Sequence, residues 1–250
     1  MTALLRTMGL SVTFGTMRAN DDIDIEVHEG SLVGLIGPNG AGKTTFVDAL
    51  TGFVPSTGRI VFDGTEVQQL PAHRRARRGL ARTWQSLELF DDLTVRENLM
   101  VAAQRQSPSH FLLDLVRPRR HRADADVEAA MRRMGIVDLA DHFPNRISQG
   151  QRKLVSAARA LAASPRLVCM DEPAAGLDSD ESRVLGRRLR SLVDDGTAVL
   201  LIDHDMGLVL DVCDVVYVID FGRIIAFGTP AEVRDDPAVI EAYLGGGGDG

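Results

Sequence analysis

The chain has 250 residues, 44% hydrophobic and 25% charged, with a formal net charge of -7. That balance suits a globular protein with a sizeable core of its own, and argues against general nucleic-acid affinity. The two cysteines, Cys169 and Cys213, match no metal-ligand spacing. Set among aliphatic residues, they read as small core hydrophobes, and such sparse usage fits a reducing cytoplasm. Met1 to Leu10 lacks the charged-then-apolar pattern of a secretory signal. No apolar run approaches the roughly 20 residues that cross a bilayer, so any membrane role is expected to be peripheral.

In chain order, Ile23, Ile25 and Val27 alternate with Asp24 and Glu26, the pattern of a half-buried strand. Leu32 to Ile36 is a short continuous aliphatic run, and so, further on, are Leu167 to Met170, Ala198 to Ile202 and Val215 to Ile219. Strands buried on both faces look like this and belong to a parallel sheet covered by helices. Thr45 to Leu50 is helix-compatible. Arg59 to Phe62 ends at Asp63-Gly64, a hairpin turn pair. From Leu93 to Ala163 the pattern turns helical. Val127, Met131 and Met134 share one face there, as do Leu154, Ala158 and Leu161, and these stripes read as core contacts. Arg105 to Arg122, with Pro108 and Pro118, reads as an irregular insertion. Phe221-Gly222 before Arg223 to Phe227 predicts a terminal hairpin, and Gly245 to Gly250 a disordered tail. Two basic clusters, Arg74, Arg75, Arg77 and Arg78, then Arg117, Arg119, Arg120 and Arg122, read as solvated faces. Contact with anionic headgroups is the alternative.

Gly37-Pro38-Asn39-Gly40-Ala41-Gly42-Lys43-Thr44 fits G-x-x-x-x-G-K-[ST], with a buried strand before it and a helix after it. Glycines let the backbone curl so that successive N–H groups face phosphate oxygens, and the helix adds its positive end. Lys43 supplies a compact charge for the phosphates, and Thr44 a hydroxyl for Mg²⁺. A phosphate cradle alone could serve a kinase, a GTPase or a motor. Leu167-Val168-Cys169-Met170 running into Asp171-Glu172 narrows the choice. Strand ends line the ligand crevice of an α/β sheet. Asp171 is placed to hold Mg²⁺ through its waters and Glu172 to polarise an attacking water.

These motifs resemble those of ABC-transporter nucleotide-binding subunits, over essentially the whole chain. Walker A is Gly37 to Thr44, and Walker B is Leu167 to Asp171, followed by the catalytic-type Glu172. Arg82-Thr83-Trp84-Gln85 resembles the Q-loop, and Ile147-Ser148-Gln149-Gly150-Gln151-Arg152 the signature, with a helix expected from Gln151. Ala175-Gly176-Leu177-Asp178 resembles the D-loop, and Leu201-Ile202-Asp203-His204-Asp205 holds the switch histidine. In the signature Gln149 replaces the usual first glycine, while Ser148 and Gly150 are retained.

The resemblance implies an α/β fold: a P-loop NTPase (RecA-like) core with an N-terminal antiparallel β subdomain and an inserted α-helical subdomain. It implies one ABC ATPase domain over 1–244, with the core at 1–92 and 164–244, the helical signature subdomain at 93–163 and a disordered tail at 245–250. ATP is expected against Phe14, Gly37, Pro38, Asn39, Gly40, Ala41, Gly42, Lys43, Thr44, Thr45, Ser148, Gly150, Gln151 and Asp178. Mg²⁺ is expected at Thr44, Gln85 and Asp171, and catalysis at Glu172, His204, Gln85 and Lys43. In such proteins the signature of one subunit completes the Walker A site of the other. For Leu87, Leu89 and Phe90 two readings stand: core packing, or reception of a permease's coupling helix.

Thr51-Gly52-Phe53, Arg82-Thr83-Trp84-Gln85, Ala174-Ala175-Gly176-Leu177, His204-Asp205-Met206 and the ending Val239-Ile240-Glu241-Ala242-Tyr243-Leu244-Gly245 resemble one subgroup, the larger ATPase of branched-chain amino acid importers. The 105–122 insertion fits it too. This resemblance implies two transmembrane permease subunits, a second ATPase in a hetero- or homodimer, an extracytoplasmic solute-binding protein and no nucleic acid. It implies a peripheral position on the cytoplasmic face of the inner membrane. The alternatives are a lipopolysaccharide-export-type ATPase, a soluble ABC protein of translation or DNA repair, and a regulatory ATP-binding module without turnover.

Overall fold

A computed structural model describes residues 3–83, 89–103 and 120–245 of the chain. Its centre is a six-stranded sheet in the order β11-β10-β4-β9-β8-β7. The strands are β4 (Leu32–Ile36), β7 (Leu80–Arg82), β8 (Leu167–Asp171), β9 (Ala198–Ile202), β10 (Val215–Asp220) and β11 (Arg223–Gly228). All neighbours run parallel except the β10–β11 hairpin.

The continuous aliphatic runs have a direct cause. Successive side chains alternate between two buried faces. Val33, Leu35, Cys169, Leu200 and Ile219 enter one core, together with Phe46 and Leu50 of helix α1 (Lys43–Thr51). Leu32, Ile36, Val168, Leu201 and Val218 enter the other. Both cysteines are buried, and burial pushes the Cys169 thiol up to about 12.

The first core is closed by an antiparallel sheet. Its long strand β1 (Ala3–Phe14) pairs with β2 (Met17–Ile23), β3 (Glu26–His28) and β5 (Thr57–Phe62), and β5 pairs with β6 (Thr65–Glu66). The alternation from Ile23 to Val27 holds, with Ile23, Ile25 and Val27 buried. The single strand does not. It breaks at Asp24-Ile25, where one backbone bond remains, from the Thr7 N–H to the Ile25 carbonyl (2.9 Å), and side chains supply the rest. The Thr7 hydroxyl donates to the Ile23 carbonyl (3.0 Å) and accepts from the Ile25 N–H (2.9 Å), while the Asp24 carboxylate accepts from the Gly9 N–H (2.6 Å). The Asp63-Gly64 turn has φ of 50° and 68°, the left-handed pair that a two-residue hairpin needs.

The second core is covered by helices. Among the described residues from 89 to 163 no strand occurs. That stretch holds α3 (Val95–Ala103), α4 (Arg120–Met134) and α5 (Gln149–Leu161), packed on one another through Leu99, Val127, Met131, Met134, Ala158 and Leu161. Leu89 is buried in this core, whereas Phe90 is 48% exposed; Trp84 to Glu88, Leu87 among them, lie outside the described residues, as does most of the 105–122 insertion. α6 (Ser179–Asp194) and α7 (Met206–Val212) complete the layer, and α8 (Pro230–Arg234) and α9 (Pro237–Gly245) end the described chain. The glycine-rich ending expected to be disordered thus enters α9 at Gly245, and 246–250 lie outside the described residues. No described helix is long and apolar enough to cross a membrane.

One basic cluster departs from the solvated reading. Helix α2 (Ala72–Arg77) turns Arg75 inward, 3% exposed. Its guanidinium donates to the Ala49 and Leu50 carbonyls (2.7 Å each) at the end of α1, and to the Leu70 and Gln68 carbonyls (2.8 Å each). The last carbonyls of a helix have no intrahelical partner, and a planar fork satisfies several at once. Arg75→Ala is expected to cost about 1–3 kcal/mol, and Arg75→Lys to recover only part of it, because an ammonium cannot reproduce the fork. Chemical denaturation of the three proteins checks this; equal midpoints would contradict it.

Candidate nucleotide-binding site

The loop between β4 and α1 is shaped by what surrounds it. Gly37 has φ 156°, and a Cβ there would stand 2.0 Å from the Ile219 carbonyl oxygen. Gly42 has φ 104° and caps α1, and its Cβ would meet the Ala19 carbonyl at 2.5 Å. No other residue type fits either position. Two hydrogen bonds pin the loop from outside: the Asn20 side-chain amide donates to the Gly42 carbonyl (3.1 Å), and the Gly222 N–H to the Ala41 carbonyl (2.9 Å). Asn39 and Gly40 form the exposed tip, Pro38 is half-buried, and Thr44 and Thr45 lie half-buried in the first turn of α1, which starts at Lys43.

Lys43 is buried, and its ammonium donates to the carbonyls of Gly37 (2.7 Å) and Pro38 (2.8 Å). Burial lowers its pKa, and Glu172, Asp171 and Asp203 counter that fall. Asp171, at the end of β8, is 3% exposed, and neither of its carboxylate oxygens has a hydrogen-bond partner. Burial holds its carboxyl above the ordinary value. Arg82, with Nη2 3.9 Å from Oδ2, and the nearby Thr44 hydroxyl work against that rise. Arg82 also pairs with Asp48 and lies over the Phe53 ring, 5.6 Å from its centroid.

Glu172 takes a left-handed backbone, φ 50°. For a residue with a Cβ this costs about 1–3 kcal/mol and persists only where neighbours over-determine it. Here its N–H donates to the Ile202 carbonyl (2.7 Å), and its carbonyl accepts from the Lys153 ammonium (3.0 Å). Its carboxylate lies 4.0 Å from His204 Nδ1, and His204 is 55% exposed. Beneath them Asp203 is fully buried and ties two loops together, accepting from the N–H groups of Ala174 (2.9 Å) and Asp205 (3.0 Å).

The structure therefore gathers Lys43, Thr44, Asp171, Glu172 and His204 at the ends of β4, β8 and β9. Ser148, Gly150, Gln151 and Asp178 form a second group. Ser148 caps α5, accepting from the Gln151 N–H (3.1 Å) while the Gln151 side chain accepts from the Ser148 N–H (2.9 Å). This capping box starts the helix at Gln149, not at Gln151. Asp178 caps α6 through the N–H groups of Asp180 (2.9 Å) and Glu181 (2.8 Å). The two helix starts touch: a Cβ on Gly150 would stand 2.5 Å from Glu181 Oε1, and one on Gly176 3.5 Å from Gln149 Nε2. Phe14 ends β1, 47% exposed. Gln85 lies outside the described residues.

Sequence reasoning missed Asn20 and Lys153. A lone amide on a strand and a lone lysine on a helix carry no local signal, and only the fold brings them to the loop and to Glu172. Asp203 was legible only as part of the run around His204.

A glycine-gripped loop at a helix start, facing a buried carboxylate at the end of a neighbouring parallel strand, defines a P-loop nucleotide-binding protein. Residues 20–175 match the ABC transporter family, and residues 223–249 match the branched-chain amino acid ATP-binding cassette transporter family. The chain is 40% identical over 251 residues to the high-affinity branched-chain amino acid transport ATP-binding protein BraF of Pseudomonas aeruginosa, covering 97% of this chain and 98% of that one. To LivG of Escherichia coli K12, of the same description, it is 37% identical over 249 residues, with coverage of 97% and 98%. To the lipopolysaccharide export system ATP-binding protein LptB of Escherichia coli K12 it is 36% identical over 244 residues, with coverage of 97% and 98%. A nucleotide-free ATP-binding cassette from an ABC transporter superposes with a TM-score of 0.86 at 30% identity, over 97% of this chain and 99% of that one. The chain belongs to the ABC transporter family, in its branched-chain amino acid ATP-binding cassette group, and it is an ATP-hydrolysing subunit.

The buried carboxylate, without a hydrogen bond on either oxygen, makes a stability prediction. Folding disfavours the charged form of Asp171, so Asp171→Asn is expected to raise the melting temperature of the nucleotide-free protein by a few degrees. Calorimetry of the two proteins without nucleotide checks this, and a lower melting temperature for the variant would contradict it.

Proposed function

We propose that this chain drives an importer of branched-chain amino acids or related small solutes, seated peripherally on the cytoplasmic membrane face. It works there with two permease subunits, a second ATPase subunit and an extracytoplasmic solute-binding protein. The observation that carries this reading is full-length likeness to relatives named for branched-chain amino acid transport, together with the match at 223–249. Likeness to LptB at 36% identity favours lipopolysaccharide export as the second reading. Identification of the permease subunits that co-purify with it, followed by ATP-dependent leucine uptake into proteoliposomes of that complex, separates the two.

In the site, the Lys43 ammonium exchanges the Gly37 and Pro38 carbonyls for the β- and γ-phosphates. The loop amides and the start of α1 hold the phosphate oxygens, and Phe14 stacks on the base. Among the described residues no three His, Cys, Asp or Glu cluster as a metal site. One carboxylate, one hydroxyl and phosphate oxygens make the sparse set that suits Mg²⁺, which keeps several waters. The two orphaned oxygens of Asp171 fit that role with Thr44 and Gln85. Mg²⁺ supplies charge neutralisation on the phosphates. Glu172 orients and deprotonates the attacking water, and His204, 4.0 Å away, steadies it. Ser148, Gly150, Gln151 and Asp178 serve the site of the facing subunit, so that ATP glues the pair and its hydrolysis releases them.

Glu172→Gln is expected to cut ATP turnover by about 10²–10⁴ and to trap an ATP-bound dimer on size exclusion. A variant that stays monomeric with ATP would remove Glu172 from the base role. Lys43→Ala is expected to abolish tight ATP binding, and unchanged affinity by calorimetry would remove the lysine from the phosphates.

A further inference from the structure

Lys153 of α5 is a half-buried lysine beside the acidic side of the site, without a role in the chemistry assigned above. Ala157, four residues on along the same helix face, is buried in the core that holds Val168 and Met170 of β8. The helix thereby carries Lys153 to the end of that strand, where its ammonium donates to the Glu172 carbonyl at 3.0 Å. Burial lowers its pKa, and the Asp203 and Glu172 carboxylates counter that fall. The backbone it holds is strained twice over. Glu172 has φ 50°, and the next residue is Pro173, which pushes its predecessor toward extended conformations. From within its own turn the Glu172 carbonyl takes only a longer bond, from the Ala175 N–H (3.3 Å), while the Glu172 N–H is held by the Ile202 carbonyl (2.7 Å). Carbonyl and side chain leave Glu172 through one Cα. Holding the N–H from one side and the carbonyl from the other therefore fixes the direction in which the side chain sets out.

We propose that Lys153 is a positioning residue for Glu172: its ammonium holds the left-handed backbone and so keeps the carboxylate beside His204, aimed at the attacking water. Without the ammonium the strained backbone relaxes toward negative φ and swings the carboxylate off line. Turnover then falls, while nucleotide binding, which Glu172 does not carry, stays. Lys153→Met keeps the apolar stem and removes the charge, whereas Lys153→Arg returns a charged donor to the carbonyl.

This inference rests on Glu172 being the base proposed above. The experiment is steady-state ATP hydrolysis by the full chain over a range of Mg-ATP concentrations, for the wild type, Lys153→Met, Lys153→Arg, Glu172→Gln and the double variant of Lys153→Met with Glu172→Gln. Lys153→Met is expected to lower kcat roughly ten- to hundredfold, the order of loss when a catalytic group is misplaced by about 1 Å, and to leave KM within about twofold. Lys153→Arg is expected to recover most of that loss. In the Glu172→Gln background Lys153→Met is expected to lower kcat no further, because the carboxylate it positions is already gone. Should Lys153→Met fold poorly, Lys153→Gln, a shorter and neutral donor, is read by the same criteria. A wild-type kcat without the ammonium overturns the proposal. So does a loss of equal size in both backgrounds, or a KM that rises as much as kcat falls, since either marks a lysine that only supports the fold. Wild-type turnover by Glu172→Gln would instead overturn the base assignment, and this inference with it.

Discussion

The Lys43 ammonium, buried at the start of α1 and bonded to the carbonyls of Gly37 and Pro38, is the interaction on which the rest of the architecture depends. A desolvated cation is tolerated only with partners. The loop supplies two of them from its own backbone, which requires the curl that Gly37 and Gly42 permit. The curl in turn is held by two outer braces, the Asn20 amide of β2 and the Gly222 N–H of the β10–β11 turn. A carbonyl is a weaker partner for an ammonium than a phosphate oxygen. The lysine is therefore held in place and remains exchangeable, and this is what a nucleotide-binding loop needs.

The two-faced sheet serves the same end. Because β4, β8 and β9 are buried on both sides, they cannot shift register without exposing a whole row of aliphatic side chains. Their ends are fixed relative to one another to within the tolerance of core packing. Lys43 follows β4, Asp171 ends β8, and Asp203 with His204 follows β9. Asp203 then ties the loop after β8 to the loop after β9. The acidic side of the site is thereby built from two adjacent strands as one body.

Much of this was legible in the sequence because it is local or periodic. Aliphatic runs at Leu32, Leu167, Ala198 and Val215 announced the central strands, and Asp63-Gly64 and Phe221-Gly222 announced two hairpin turns, one in each sheet. The phosphate loop is a contiguous pattern, and so is the Asp171-Glu172 pair. Long-range packing was not legible. Arg75 sits in an arginine-rich run and reads as solvent-facing, yet its fork closes α1 across some 25 residues of chain. The strand break at Asp24 depends on the Thr7 hydroxyl, a partner supplied by another strand. The start of α5 moved to Gln149 because the Ser148–Gln151 capping box outweighs the glycine at 150. The left-handed Glu172 is invisible in sequence, since no residue type announces it.

Orphaned polar atoms are frequent around the phosphate loop and the acidic side that faces it. Six buried side-chain polar atoms lack a partner among the described residues, and three belong to Asn20, which braces the phosphate loop, and Asp171, its acidic counterpart. Glu172 adds a strained backbone, and the Lys153 ammonium that accompanies it comes from α5, the helix that carries the signature. That hydrogen bond ties α5 to the Glu172 peptide just beyond β8, so the helical layer and the sheet share a contact there. Held from one side by the Ile202 carbonyl and from the other by Lys153, the left-handed backbone of Glu172 is over-determined by its neighbours, which is the condition under which such strain persists.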